Sequence, residues 1–329
     1  MNELTDRARE PGESPVAVTT PAPGARGSPA TAPVRPPSGA PLPHATPAAV
    51  RVAGGRMKDD LRAVRVVWRR ELIRFSRNRL RIITSLVQPV LFLFVLGTGL
   101  SSLVSKGVPT TGGIDFRTFM FPGVVAMTVL FTSIFSAVSI MWDREFGFLR
   151  EMLVAPVRRG AIVVGKCAGG TTTAAIQGAV MLLLAGLVGV PYSPTLFATL
   201  LGEMILVAVA LTAFGVLVAS RMSQIESFQA VIQFLVMPMF FLSGAIFPPT
   251  GLPQWLEVLT KLDPLTYAVD PMRRAVFAHV HASAALAQRL NGGVTWDGWR
   301  LPIPLELGLV AVGALVVLAL AVWQFNKVE

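Results

Sequence analysis

Six long apolar blocks dominate this chain and leave few folds open to it. They lie at residues 82–103, 119–141, 162–187, 196–219, 228–247 and 303–323. A helix needs about 20 apolar residues to cross roughly 30 Å of hydrocarbon, and each block meets or approaches that length. Segments of about ten residues in which apolar and polar side chains alternate are typical of membrane barrels, and the sequence contains none. The blocks predict an all-α membrane protein with six transmembrane helices within residues 81–325 and a short tail at 326–329.

Basic residues are distributed unevenly between the loops that six spans would create. With the N-terminus inside, 15 Lys and Arg residues lie near the cytoplasmic face, nine of them from Lys58 to Arg81, against seven on the opposite face. Such an excess sets the orientation of a membrane protein. We therefore expect a multi-pass plasma-membrane protein with both termini in the cytoplasm. The net charge of +10 is then an orientation signal and a contact with membrane lipid, and we expect no nucleic-acid partner.

Two segments precede the first span. Residues 1–57 form a Pro- and Ala-rich tail, with 11 of the 25 prolines in the first fifty residues. This composition predicts disorder, unless Met57 is the true start of the protein. Residues 58–80 carry apolar side chains at i, i+3 and i+4 spacing, which predicts an amphipathic helix in the membrane interface. Those side chains belong to Leu61, Val64, Trp68, Leu72 and Phe75.

A charged interruption at residues 143–159, DREFGFLREMLVAPVRR, separates the second and third apolar blocks. Apolar residues at Phe146, Leu149, Met152 and Leu153 predict a short amphipathic helix lying along the membrane. Charged side chains interleaved with aromatic ones suit docking to a soluble partner. The alternative is a solvated linker whose arginines only fix the topology.

A near match to a phosphate-binding loop lies just after this interruption. Gly160 to Lys166 follow the pattern G-x-x-x-x-G-K, but Cys167 replaces the hydroxyl residue that would hold Mg²⁺. The segment also leads into an apolar span, so we expect no nucleotide site, no catalytic residues and no bound cofactor in this chain. The pair His279 and His281 is too small a ligand set for zinc, and we expect no metal site.

Two carboxylates, Glu203 and Glu306, lie within the predicted spans near their outer ends. Intramembrane carboxylates are candidates for a proton pathway, although the outer position favours residues at interface level. A proton-coupled secondary carrier is therefore an alternative from another class. It predicts that Glu203→Gln abolishes transport and that transport requires no ATPase. A membrane scaffold with no transport role is a third alternative.

The segment from Phe247 to Phe277 is too polar to span a membrane and too apolar for a plain loop. Asp263-Pro264 would end one short helix and precede a second. Two short helices with aromatic residues predict an extracellular re-entrant hairpin. The fifth block just before it offers Met and aromatic side chains suited to an adaptable hydrophobic pocket or to ordinary helix packing.

Two long motifs resemble those of one membrane family. DREFGFLREMLVAPVRRGAIVVGK resembles the first cytoplasmic loop of type-2 ABC transporter permeases of the daunorubicin-resistance type, and FLSGAIFPPTGLPQWLEVLTKLDPLTYAVDPMRRAVF resembles the segment after their fifth span. Gln88-Pro89 in the first span also fits. The resemblance covers residues 58–329. It implies the membrane subunit of an exporter, a homodimer paired with two copies of a separate ATPase that uses ATP and Mg²⁺.

The resemblance also implies roles for individual residues. The coupling helix that docks on the ATPase would comprise Arg144, Glu145, Phe146, Gly147, Phe148, Leu149, Arg150 and Glu151, and residues 58–80 would form the connecting helix. A hydrophobic substrate path would involve Phe228, Gln233, Phe234, Met237, Phe240 and Phe241. The outer gate would include Pro253, Trp255, Pro264 and Tyr267. We expect export of a drug-like hydrophobic or amphipathic small molecule, with a lipid or a glycan-linked compound as the alternative.

Overall fold

A computed structural model describes most of the chain beyond the tail. The described residues are 57–101, 115–148, 152, 157–246, 253–280, 293–296 and 298–328. The predicted disorder of the tail lies outside them and stays a prediction. So do the roles expected of Leu149, Arg150 and Glu151.

The described part of the chain is almost entirely helical, which confirms the predicted class. The helices are α1 (Met57–Arg77), α2 (Arg79–Leu91), α3 (Phe116–Ser136), α4 (Val138–Glu145), α5 (Arg159–Leu183), α6 (Pro194–Ser220), α7 (Ile225–Leu242), α8 (Gln254–Leu262), α9 (Thr266–His279) and α10 (Ile303–Val328). Two short antiparallel strands, β1 (Thr295–Trp296) and β2 (Trp299–Arg300), form a hairpin that was not predicted.

Five of the described helices are long and apolar enough to cross a membrane. They run over Arg79–Ser101, Phe116–Glu145, Pro194–Ser220, Ile225–Leu242 and Ile303–Lys327. Helix α5 has 25 residues, or about 38 Å at 1.5 Å per residue. It is not one of the five, because its glycines, threonines and Lys166 lower its mean hydropathy. The chain is a multi-pass membrane protein, and the sixth span stays a prediction.

Hydrogen bonds define two ends of the helical bundle. At one end, which we call the proximal end, Arg144 Nη1 of α4 donates to the carbonyl oxygen of Met222 at 2.8 Å. At the other, the distal end, Thr118 Oγ1 of α3 donates to the carbonyl oxygen of Val188 at 2.6 Å. Helix α5 therefore runs from one end to the other, even though it is less apolar than α3, α6, α7 and α10.

The first two helices are separated by a break that the sequence pattern did not predict. Helix α1 ends at Arg77, whereas the apolar spacing predicted a helix through residue 80. Asn78 adopts a non-helical conformation, and its Oδ1 accepts a hydrogen bond from the backbone N–H of Arg81 at 3.1 Å. Asparagine is a favoured N-cap because its side chain satisfies a free N–H at the helix start. Asn78 therefore ends one helix and starts the next.

Candidate coupling site and internal cavity

The predicted docking segment begins on the last turn of α4 at the proximal end. Arg144 and Glu145 belong to α4, so they extend the second span and do not start a separate helix. Gly147 follows with a φ of +78°, a left-handed conformation that favours glycine. Phe146 and Phe148 are 68% and 47% exposed, and Glu145 is exposed as well. The structure thus presents two aromatic side chains and a carboxylate at one end of the bundle.

Directly behind this exposed end lies a set of charges, buried at its centre and partly exposed at its edge, which we call the ionic cluster. The cluster consists of Arg70, Glu71, Arg74, Asp143 and Lys166. Asp143 is fully buried and accepts from Lys166 Nζ at 2.5 Å, from Arg74 Nη2 at 3.2 Å and from Arg70. Lys166 Nζ also donates to Glu71 Oε1 at 3.0 Å and to Ser139 Oγ at 3.0 Å. The cluster therefore joins α1, α4 and α5 through side chains from three separate parts of the chain.

Helix α1 lies unusually close to α5 beside the ionic cluster. A Cβ on Gly165 would lie 2.8 Å from the Cβ of Val67, and one on Gly169 would lie 2.6 Å from the Cβ of Glu71. Small residues four apart allow two helices to approach closely in this way. We call this face of α5 the glycine groove. One turn further on, Trp68 Nε1 donates to Thr172 Oγ1 at 3.0 Å, so α1 is held along three turns of α5.

A cavity of about 480 Å³ opens between α1, α2, α3, α4, α5 and α7. Arg74 and Arg81 line it together with Trp142, and each guanidinium lies 5.7 Å from the centroid of the Trp142 ring. Ser85, Gln88 and Gln177 contribute polar groups further along it, and the Gln177 amide donates to Ser85 Oγ at 2.5 Å. Ligand sites commonly occupy about 300–1,000 Å³. The cavity can therefore accommodate an amphipathic small molecule.

The six residues predicted for the substrate path do not form one site within a single copy of the chain. Phe228 and Phe240 are buried in the core, where Phe240 packs edge-on against Phe92. Phe234, Met237 and Phe241 lie on the opposite, exposed face of α7, with exposures of 78%, 39% and 46%. Gln233 is also exposed. Helical periodicity explains the division, because apolar residues cover the whole circumference of α7.

The predicted outer hairpin is present as α8 and α9 at the distal end. Pro253 immediately precedes α8, Trp255 is 66% exposed, and Pro264 lies between the two helices. Tyr267 is buried, and its hydroxyl donates to the carbonyl oxygen of Lys261 at 2.8 Å and accepts from Trp296 Nε1 at 3.2 Å. Helix α9 is therefore tied to both α8 and the β-hairpin.

Two distal residues of this hairpin have shifted pKa values. Burial raises the pKa of Asp263 to about 7, even though the Leu265 backbone N–H and the Thr266 hydroxyl favour its charged form. Burial also lowers the pKa of the Arg273 guanidinium to about 10. Arg273 donates to the carbonyl oxygen of Gly244 and lies 4.5 Å above the ring of Phe119. Arg273 thus attaches α9 to the turn after α7 and to α3.

The two carboxylates predicted within the spans are both buried. Glu306 is fully buried and accepts from Arg274 Nη2 at 3.0 Å, and Arg274 also pairs with Asp270. Glu203 is 5% exposed, and its Oε2 has no hydrogen-bond partner among the described residues. Within that part of the chain, no group of three or more His, Cys, Asp or Glu side chains could hold a metal ion.

The sequence analysis missed the ionic cluster and the glycine groove. Lys166 is predicted from the sequence as a basic residue at the cytoplasmic end of the third span; in the structure its side chain is 2% exposed and lies inside the ionic cluster. A signal was available on α1, because Glu71 lies on the apolar face three residues after Trp68. A lone carboxylate on a buried face requires a cation.

Comparison with known proteins agrees with this architecture. Residues 62–277 match the family model described as ABC-2 type transporter. The match spans α1 to α9 and so includes the ionic cluster, the cavity and the distal hairpin.

Three relatives illustrate the range of similar proteins. A "Putative transport permease ycf38" of Cyanophora paradoxa is 29% identical over 66% of this chain and 74% of its own length. Nodulation protein J of Rhizobium leguminosarum bv. trifolii is 29% identical over 65% of this chain and 80% of its own. A "Probable multidrug ABC transporter permease YbhR" of Escherichia coli K12 is 30% identical over 48% of this chain and 43% of its own.

Proposed function

The chain belongs to the ABC-2 type transporter family, and on that premise we propose that it is the permease subunit of an ATP-driven exporter. Two copies of the chain form the membrane part, and two copies of a separate ABC ATPase bind their cytoplasmic faces. ATP and Mg²⁺ are used in the ATPase. The substrate is a hydrophobic or amphipathic compound of the drug type, and a lipid or glycan-linked compound is the alternative.

The observation that carries this proposal is the exposed end of α4. Glu145, Phe146 and Phe148 extend from the bundle next to the ionic cluster. Aromatic side chains are enriched in protein interfaces, and charged side chains are common at the rim of an interface. In this proposal they enter a cleft on the ATPase, and the proximal end faces the cytoplasm, in agreement with the excess of basic residues there.

The cavity supports an amphipathic substrate. Arginine side chains and Trp142 lie at its proximal end, and amide and hydroxyl groups from Ser85, Gln88 and Gln177 lie deeper. A molecule with an anionic or polar head and an apolar body can contact both regions. The exposed apolar face of α7, with Phe234 and Met237, supports a second copy of the chain as the other wall of the path. The word "multidrug" in the name of the E. coli relative supports a drug-like substrate.

Reconstitution with the ATPase tests the proposal. The chain and a candidate ABC ATPase from the same organism are co-purified and placed in lipid vesicles, and uptake of a fluorescent hydrophobic dye is followed with ATP or with a non-hydrolysable analogue. We expect a stable complex and ATP-dependent dye transport. An ATPase that does not bind, or transport that proceeds without ATP, would refute the proposal.

Glu203 favours a second candidate function, a proton-coupled carrier. Its carboxylate is buried within a span and has one oxygen without a described partner, as a proton-carrying group could have. This candidate predicts that a pH gradient alone drives transport and that Glu203→Gln abolishes it. Transport that needs ATP and survives Glu203→Gln would exclude it.

A further inference from the structure

The ionic cluster contains one side chain from each of the two helices, α4 and α5, that border the segment between Glu145 and Arg159, which we call the proximal loop. Helix α4 enters the loop and contributes Asp143, and α5 leaves it and contributes Lys166. The two side chains meet at 2.5 Å. A displacement of the end of α4 or of the start of α5 therefore acts on the same buried contact.

Asp143 itself is unable to touch a docked protein. It is fully buried, whereas Glu145, two residues later, is exposed. The carboxylate of Asp143 is surrounded by cations from α1 and α5, and Ser139 lies on the preceding turn of α4. The role of Asp143 is consequently to hold helices relative to one another.

Trp142 extends this contact across the break at Asn78. Arg74 lies on the last turn of α1 and Arg81 on the first turn of α2, and both guanidinium groups lie 5.7 Å from the centroid of the Trp142 ring. Arg81 Nη2 also donates to the carbonyl oxygen of Phe135 at 3.2 Å. A shift of α4 therefore acts on both sides of the break, and through α2 on the first span.

We propose that Trp142 and Asp143 form a joint that carries displacement of the proximal loop to the break at Asn78 and so changes the angle between α1 and the first span. Asp143 is a positioning residue in this joint. The proposal rests on the proposed function, because the displacement comes from the ATPase. Charged contacts suit this role, since a buried carboxylate must keep its cations as the helices move, whereas apolar surfaces can slide.

The test distinguishes binding of the ATPase from coupling of ATP hydrolysis to transport. Asp143→Asn, Glu145→Gln and Asp59→Asn are compared with the wild type in lipid vesicles with the ATPase. Asp59 is the matched control, because it is a half-exposed carboxylate on α1 that pairs only loosely, at 3.9 Å, with Arg62. For each protein, the affinity for the ATPase and the number of dye molecules moved per ATP hydrolysed are measured.

We expect Asp143→Asn to bind the ATPase as the wild type does and to move about 5- to 150-fold less dye per ATP, the range typical of coupling between sites. Glu145→Gln should weaken binding, and Asp59→Asn should change neither quantity. If Asp143→Asn moves as much dye per ATP as the wild type, the joint is refuted and the proposed function stands. If the wild type neither binds the ATPase nor transports, the proposed function fails, and the joint with it.

A second measurement does not depend on the stability of Asp143→Asn. Arg74→Gln alters a side chain that is one-third exposed, so we expect it to fold. Spin labels at Leu61→Cys and Val95→Cys, both on exposed positions, report the distance between α1 and the first span in a Cys167→Ala background. ATP should change this distance in the wild type and not in Arg74→Gln. An equal change in both proteins would overturn the proposal.

Discussion

Replacing Gly165 with alanine tests how closely α1 packs on α5. The new Cβ would lie 2.8 Å from the Cβ of Val67 and 3.0 Å from the carbonyl oxygen of Val64, whereas non-bonded carbons settle at about 3.5–4.0 Å. Overpacking of this kind costs about 1–3 kcal/mol. The better helix propensity of alanine returns roughly 1 kcal/mol. We therefore expect a net loss of up to about 2 kcal/mol in the stability of the α1–α5 contact.

Gly313→Ala on α10 is the matched control, because a Cβ there meets nothing within 4 Å. It should gain the helix-propensity term alone, so the two substitutions should move stability in opposite directions. Thermal unfolding in lipid nanodiscs measures the sign, and hydrogen exchange of residues 57–77 locates the effect in α1. If Gly165→Ala has a melting temperature as high as that of Gly313→Ala and hydrogen exchange in α1 is unchanged, then α1 and α5 do not pack as closely as the structure shows.

Three further predictions concern charged groups. Asp143→Asn leaves three cations facing one carboxylate, so we expect its free energy of unfolding to fall by about 3–5 kcal/mol. Lys166→Met leaves the cluster neutral and should lower the free energy of unfolding by less. Thermal unfolding ranks the two variants, and the reverse order would contradict the charge count. The pKa of Asp263 is raised from 3.8 to about 7, so its contribution to stability is complete below about pH 4 and is lost as the pH rises through about 7. The melting temperature of Asp263→Asn should therefore fall less than that of the wild type over this range, and parallel curves would exclude the shift. Arg274→Gln removes the cation paired with the fully buried carboxylate of Glu306, so the free energy of unfolding measured by chemical denaturation should fall by about 3–5 kcal/mol. An unchanged midpoint would show that the pair does not contribute to stability.

The sequence predicted the long helices well, because membrane-spanning segments must satisfy their backbone hydrogen bonds internally and therefore appear as apolar blocks. It predicted the distal hairpin from Asp263-Pro264 for a local reason, since a residue before proline disfavours helix. The weaker case was α5. Its glycines and Lys166 make it less apolar than the five candidate spans, and these are the residues that it uses to bind α1.

The ionic cluster was beyond reach of local patterns because its members are far apart in the chain. Lys166 lies 95 residues from Glu71 and 23 from Asp143, so the first pair forms only when α1 docks against α5 and the second only when α4 docks against α5. The helix boundary in the predicted docking segment was difficult to predict for another reason. Arg144 and Glu145 continue α4 because the backbone stays helical until Gly147, where a positive φ ends it. Charge and aromatic content located this segment without fixing where its helix ends.

The resemblance of Gly160–Lys166 to a phosphate-binding loop has a structural explanation that bears on the energy source. Gly165 lies inside α5 and faces Val67, so its missing side chain makes room for a helix and not for a phosphate. The side chain of Lys166 is 2% exposed, and its amine already donates to three oxygens, on Glu71, Ser139 and Asp143. A lysine that bound a nucleotide would have to give up those acceptors and leave Asp143 with fewer cations. The residues that resemble an ATP site are therefore committed to joining helices, which is the part that a subunit driven by a separate ATPase would need.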